Sequence, residues 1–150
     1  MRALLNSTDQ RLSALDTGAY GDANQADGEP AVIHPSPDDP GAWNRFVAAS
    51  TGGSHYHLFE WGRINFDHFG HEFIPLTATR GGGIVGTLPL VLVRSRLFGK
   101  ILCSMPFVNF GGPCTGEPGV ATQLVARAKQ LADERGVDYL ELRCVDPLPH

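Results

Sequence analysis

The 150-residue chain has little cysteine, little positive charge and no long apolar run. Its three cysteines, Cys103, Cys114 and Cys144, are odd in number and far apart. That argues against a disulfide framework and fits buried thiols in a reducing compartment. Lys and Arg total 12 against 16 acidic residues, for a net charge of −4. A general nucleic-acid surface needs clustered cations, and most of these are scattered. No apolar stretch approaches the ~20 residues of a membrane span, and the opening MRALLNSTDQ is too briefly apolar for a secretory signal. Internal repeats are absent. Glycine and proline, by contrast, are plentiful at 18 and 11, and many stand at turns, which predicts a turn-rich fold rather than a helix bundle. The 42% hydrophobic content suffices for one ordinary core, in which a chain of this size buries about 70% of its unfolded surface.

Residues 1–30 are polar and without period, and read as a disordered leader. Val32 and Ile33 start a short strand that Pro35 and Pro37 break. Asp39 and Pro40 cap and open a first helix carrying Trp43, Phe46 and Val47 at i, i+3, i+4. A second helix runs from about Ser54 or His57 to Phe69, with Leu58, Trp61, Ile64 and Asn65 on one face, and Gly70 stops it. Phe73–Thr79 reads as a strand in which Pro75 signals an edge or bulge. Ile84–Val93 and Ile101–Met105 follow as partner strands, with Phe107–Phe110 continuing the latter past Pro106. Val120, Leu124, Ala128 and Leu131 then mark a long amphipathic helix, closed by Gly136. A returning strand, 138–145, alternates Leu140, Leu142 and Cys144 with Tyr139, Glu141 and Arg143. The order β-α-α-β-β-β-α-β leaves the 138–145 strand with an open edge.

Several motifs carry possible chemistry. Gly81-Gly-Gly-Ile-Val-Gly86 matches G-x-G-x-x-G, but a strand pattern follows it where a dinucleotide site needs a helix, so it reads as a hairpin turn. Asn109-Phe-Gly-Gly-Pro-Cys-Thr-Gly116 lies between a strand and the long helix, where backbone amides can hold a phosphate. Pro113 and Pro118 remove two donors, so glycine-shaped close packing is the stronger reading. His55, His57, His68 and His71 match no specific ligand spacing, and no metal site is assigned. Arg80, Arg94, Arg96 and Lys100 fall at hairpin ends, where solvated turn charge is the stronger reading and one basic rim for a substrate phosphate the other. Glu141 and Arg143 share the polar face of the last strand, as an amine-positioning pair or a structural ion pair. Neither Cys103 nor Cys114 has an evident base beside it.

Six segments then stand in a telling order: Trp43-Asn-Arg-Phe-Val, Leu58-Phe-Glu-Trp61, Gly83-Ile-Val-Gly-Thr-Leu-Pro-Leu90, Arg94-Ser-Arg-Leu-Phe-Gly99, Pro106-Phe-Val-Asn-Phe-Gly-Gly-Pro113 and Tyr139-Leu-Glu-Leu-Arg143. They resemble the landmarks of FemAB-like acyltransferases, above all the subgroup associated with exopolysaccharide and PEP-CTERM protein-sorting loci. The resemblance spans about residues 31–146. It implies an α+β, GNAT-like (acyl-CoA N-acyltransferase) fold, with a mixed, mostly antiparallel sheet flanked by helices. It implies that 31–150 form the N-terminal part of one such domain, with the C-terminal GNAT-like half missing. The whole protein would be a cytoplasmic transferase moving an acyl or aminoacyl group onto an amine of a cell-envelope or exopolysaccharide-related acceptor. Aminoacyl-tRNA would engage only through the missing half, and this part would hold no cofactor. Trp61, Asn109, Phe110, Gly111, Glu141 and Arg143 are the implied cleft lining; no catalytic residue is carried over. Two other classes stay open: a stand-alone GNAT N-acetyltransferase using acetyl-CoA, and a non-catalytic module binding a substrate or partner.

Overall fold

A computed structural model describes residues 2–5, 29–35 and 39–144. The described chain is α+β. Strands β1 (Arg2–Leu5), β2 (Val32–His34), β3 (Glu72–Arg80), β4 (Gly83–Ser95), β5 (Gly99–Ser104) and β6 (Tyr139–Leu142) form one mixed sheet in the order β1-β6-β5-β4-β3-β2. β2 through β5 are antiparallel neighbours; β6 is parallel to both β5 and β1. Helix α3 (Pro118–Arg135) covers one face. Helices α1 (Pro40–Ala49) and α2 (Phe59–Phe69), joined through a 3-10 turn at His55–His57, cover the other.

Alternation decides which side chains meet which helix. Leu76, Leu88, Leu90, Leu92, Leu102, Leu140 and Leu142 point to the α3 side and bury Val120, Leu124, Ala128, Leu131 and Ala132. The expected stripe of α3 is therefore the one buried. On the opposite face, Trp43, Val47 and Cys114 form one cluster, and Val91, Met105 and Val108 a second. Helix α1 starts as its sequence predicts, with the Asp39 carboxylate accepting the Gly41 amide at 2.8 Å.

Four expectations need correction. The leader is not structureless throughout, because Arg2–Leu5 pairs with Tyr139–Leu142; the rest of it, residues 6–28, lies outside the described residues. That pairing covers the edge of β6 expected to be open. Phe107–Phe110 does not continue β5: Met105 (φ 48°) and Phe107 (φ 67°) adopt left-handed backbone, which turns the chain out of the ladder. Ile64 is exposed; Asn65 of the expected face is buried, and Gly62 takes the inward place expected of Ile64. The Phe73 ring occupies the space a Cβ on residue 62 would need, so α2 lies close on the sheet there.

Pro75 is not at the bulge, which falls between Ala78 and Thr79, but stands at a local edge of the sheet. It faces Pro89 across β3 and β4. Thr87 exchanges both backbone bonds with Cys114, so Pro89, two residues on, also turns its nitrogen toward β5. Between Ser104 and Cys114, however, that side of β4 carries no ladder, and its missing donor is not required. Pro75 turns the other way, past the end of β2, which reaches only Thr77. Among the described residues, both prolines turn their nitrogens to places where no neighbouring strand pairs.

Candidate functional site

The site is built on the departure of the chain from β4. Strand β5 pairs with β4 up to Ser104–Leu90, and the chain returns to β4 at Cys114–Thr87. Residues 105–113 make an excursion between these points, on the α2 side of the sheet. Met105 and Val108 tuck inward against Val91, Tyr56 and Trp61, while Phe107, Asn109 and Phe110 lie on its exposed side. The Asn65 amide donates to Trp61 O at 2.9 Å and lies 3.6 Å from Met105 Sδ, fixing α2 to the base of the excursion.

The far end of the excursion is bound to β6. Beyond Cys103 and Glu141 the parallel strands β5 and β6 stop pairing, and the chain's own backbone fills the wedge. Gly111 N–H and Gly112 N–H both donate to the Arg143 carbonyl at 2.9 Å, and Arg143 N–H donates to Ser104 Oγ at 2.7 Å. Two consecutive amides converging on one oxygen are the arrangement that elsewhere holds anions; here a carbonyl takes that place. Both residues must be glycine for steric reasons. A Cβ on Gly111 would lie 2.7 Å from Met105 Cβ, and one on Gly112 2.6 Å from Cys144 Sγ and 3.2 Å from Cys144 Cα. Close packing was the stronger sequence reading of this segment, and the geometry agrees with it.

Glu141 and Arg143 pair along one strand rather than across the sheet. Arg143 Nε donates to Glu141 Oε1 at 2.7 Å, and its NH1 donates to Val108 O at 2.7 Å. Burial is the largest influence and opposes the guanidinium's charge, but the bond to Glu141, the Glu141 charge and the neighbouring Cys103 sulfur together hold Arg143 above its ordinary pKa. Both side chains remain partly exposed, at 18% for Glu141 and 27% for Arg143. Among the described residues nothing donates to Glu141 Oε2. The pair thus offers one carboxylate oxygen at the rim of the excursion.

Cys103 lies beside Glu141 in register. Burial, and then the Glu141 carboxylate, push its thiol up to about 12. Burial raises Cys114 as well and brings Cys144 to about 11. All three are thiols at neutral pH and poor nucleophiles.

A buried histidine, which sequence reasoning grouped with three others, proves to be a structural hub. His57 Nδ1 accepts the Ser54 amide at 3.2 Å and lies 2.9 Å from Ser54 Oγ; Nε2 lies 3.0 Å from Gly112 O, to which it donates. Trp43 Nε1 donates to His57 O at 2.7 Å. Burial lowers the imidazole's pKa, although both bonds work the other way. The Ser54-x-x-His57 spacing was the available signal, since it reproduces a capping box. The other histidines go elsewhere: His55 and His68 are exposed, and His71 stacks near Phe107 at 6.2 Å. Among the described residues no three His, Cys, Asp or Glu side chains are placed to hold a metal ion.

Of the residues expected to line a cleft, Gly111, Glu141 and Arg143 come together. Trp61 packs beneath the excursion, and Asn109 and Phe110 stand on its exposed rim. Sequence reasoning missed Ser104, His57 and an aromatic shelf of Phe69 and Phe107, whose rings are 5.0 Å apart. Gly81 and Gly82, both at positive φ, form a two-residue hairpin turn between Arg80 and Gly83, so the glycine-rich motif opens no helix. At the start of α3 the N-cap residue is Glu117, whose carboxylate takes Arg80 at 2.9 Å. Its charge occupies the end of the helix that would otherwise attract an anion. The basic rim also divides. Arg80 and Arg94 lie at opposite ends of the β3–β4 hairpin, roughly 35 Å apart at the usual strand rise. No helix among the described residues is long and apolar enough to cross a membrane. No protein-family model matches the chain, and no curated protein matches it either.

Proposed function

We propose that this chain is the GNAT-like, acceptor-binding half of a FemAB-like acyl- or aminoacyl-transferase, acting on an amine of a cell-envelope or exopolysaccharide-related molecule. The observation that carries the proposal is the wedge between β5 and β6. An antiparallel run, a helical crossover and a parallel last strand are the order expected of a GNAT-like half. Its wedge, however, is closed by Gly111, Gly112 and Arg143, while Glu141 Oε2 stays open beside it. Glu117 at the start of α3 further disfavours a diphosphate there. Both features argue against a stand-alone acetyl-CoA enzyme. The activated donor would then be held by a second GNAT-like half.

In this reading Glu141 accepts a hydrogen bond from the acceptor amine and takes the proton that nitrogen loses as its bond to the acyl carbon forms; the acyl carbon's bond to its carrier then breaks, and the carrier leaves with that proton. The Phe107 and Phe110 rings supply an apolar flank. With every thiol protonated, direct transfer is favoured over a covalent acyl-enzyme, and rate enhancement comes mainly from positioning. Amide chemical-shift mapping tests this. A lysine-containing peptide should perturb Glu141, Arg143 and Phe107, and acetyl-CoA should show no micromolar binding. Micromolar acetyl-CoA binding, or acetyl transfer by this chain alone, would overturn the proposal.

A further inference from the structure

The turn between β4 and β5 has no role in the transfer site, yet it is the most exposed apolar feature of the described chain. Leu97 is 81% exposed and Phe98 69%. The exposure is imposed by the fold. Ser95 Oγ accepts the amides of Leu97 (3.2 Å) and Phe98 (3.1 Å), and Gly99 closes the turn at φ 79°. Asp138 braces the base: its carboxylate accepts Lys100 N–H and its own amide donates to Lys100 O, each at 2.8 Å. Two large apolar side chains are therefore held outward on a rigid support.

The turn segment itself carries charge of one sign. Residues 94–100, RSRLFGK, hold three cations and no acid in a chain whose net charge is −4. Arg94, Ser95, Arg96, Gly99, Lys100 and Asp138 line an open depression of about 480 Å³ at the foot of the tip. Two carboxylates lie near. Glu72 is shared between Arg135 (2.7 Å) and Arg94 (3.7 Å), and Asp138 is engaged by backbone. Lys100 Nζ donates to Arg135 O at the end of α3. Arg96 has no carboxylate partner among the described residues.

We propose that this tip docks the protein on an anionic lipid bilayer. Leu97 and Phe98 enter the boundary between headgroups and acyl chains, the exposed Arg94 and Arg96 face the lipid phosphates, and Lys100, bonded to the end of α3, adds its charge from behind. Three observations favour a bilayer over a protein partner. The tip is convex and two side chains wide, far short of the ~800 Å² per partner of a stable protein interface. Its turn amides are already bonded by Ser95, which removes the main cost of placing backbone in a poorly hydrated layer. Finally, an apolar wedge with a cationic base combines two signals that are each marginal for membrane binding. The inference is independent of the transferase reading.

Co-sedimentation of the full chain with vesicles tests it. Binding is expected to phosphatidylcholine–phosphatidylglycerol vesicles, to be weak on phosphatidylcholine alone, and to fall as salt is raised. The pair Leu97→Ser and Phe98→Ser should lower partitioning by at least about tenfold, since each ring or branch loses its burial in lipid. Arg96→Glu reverses one charge and should cost roughly 30-fold. These side chains are solvent-exposed, so thermal melts should be unchanged and lost binding cannot be ascribed to unfolding. Failure to bind anionic vesicles would overturn the proposal. So would equal binding to neutral vesicles, wild-type binding by the variants, or tip-dependent self-association by light scattering without vesicle binding.

Discussion

Replacing Arg143 by methionine keeps much of the volume and the side-chain reach of the original while removing two bonds, so it measures what the guanidinium contributes. The backbone bonds to Ser104, Gly111 and Gly112 survive, because they use the amide and carbonyl of residue 143. Lost are Nε to Glu141 and NH1 to Val108 O, each at 2.7 Å. Val108 is buried, and leaving its carbonyl without a donor costs about 1–3 kcal/mol. The ion pair is partly solvated, so its share is smaller, about 1 kcal/mol. The sum is about 3 kcal/mol, which for a chain of this length lowers Tm by roughly 6–12 °C. A double-mutant cycle with Glu141→Gln separates the contributions. Glu141→Gln alone should be mild, and the Val108 loss should persist in the double variant, leaving a coupling of about 1 kcal/mol. Calorimetry and urea melts provide the readout. A Tm for Arg143→Met indistinguishable from the parent would refute the claim that this side chain holds the excursion to β6.

Gly112→Ala should destabilise by about 2 kcal/mol or more in a urea melt, because its Cβ would lie 2.6 Å from Cys144 Sγ and 3.2 Å from a backbone carbon. Gly119→Ala, in the first turn of α3 with open space around it, should instead stabilise by about 0.5–1 kcal/mol. His57 has a folded pKa below its ordinary 6.5, so the folded state binds fewer protons than the unfolded. Its contribution is whole above pH 6.5 and is lost as pH falls further; the urea midpoint should drop from pH 7.5 to 5.5, and the His57 ring signals should titrate below 6.5. The thiols have the opposite sign. With Cys103 near 12 and Cys144 near 11 against an ordinary 9.0, stability is complete below pH 9.0 and declines as pH rises toward those values. At pH 8, Cys103 should react with a thiol reagent only at the rate of unfolding, as followed by mass spectrometry.

What could be read from sequence was whatever a local pattern dictates. Asp39-Pro40 announced the start of α1, the Val120–Leu131 spacing the buried stripe of α3, and the alternation from Tyr139 to Arg143 the two faces of β6. Gly81 and Gly82 were legible as a turn because only a strand pattern followed them. What failed to show depends on distant partners. Phe107-Val-Asn-Phe110 has strand propensity, and nothing local reveals that Met105 and Phe107 take positive φ. Gly62 has no side chain to mark it as an inward position, and the apolar pattern points to Ile64 in its stead. His57 owes its role to Gly112, 55 residues later. Within the site, the closeness of Glu141 and Arg143 was readable from their two-residue spacing. Their attachment to Val108 and to the paired glycines was not.

The pairing of β1 with β6 has a consequence for biosynthesis. The partner of Arg2 is Tyr139, so β1 stays unmatched until the intervening strands and β6 have been made. At ordinary translation rates that interval lasts roughly 7–30 s. During it, Arg2–Leu5 lacks its partner and is open to chaperones or another nascent chain, and its pairing waits for Tyr139–Leu142 to leave the ribosome.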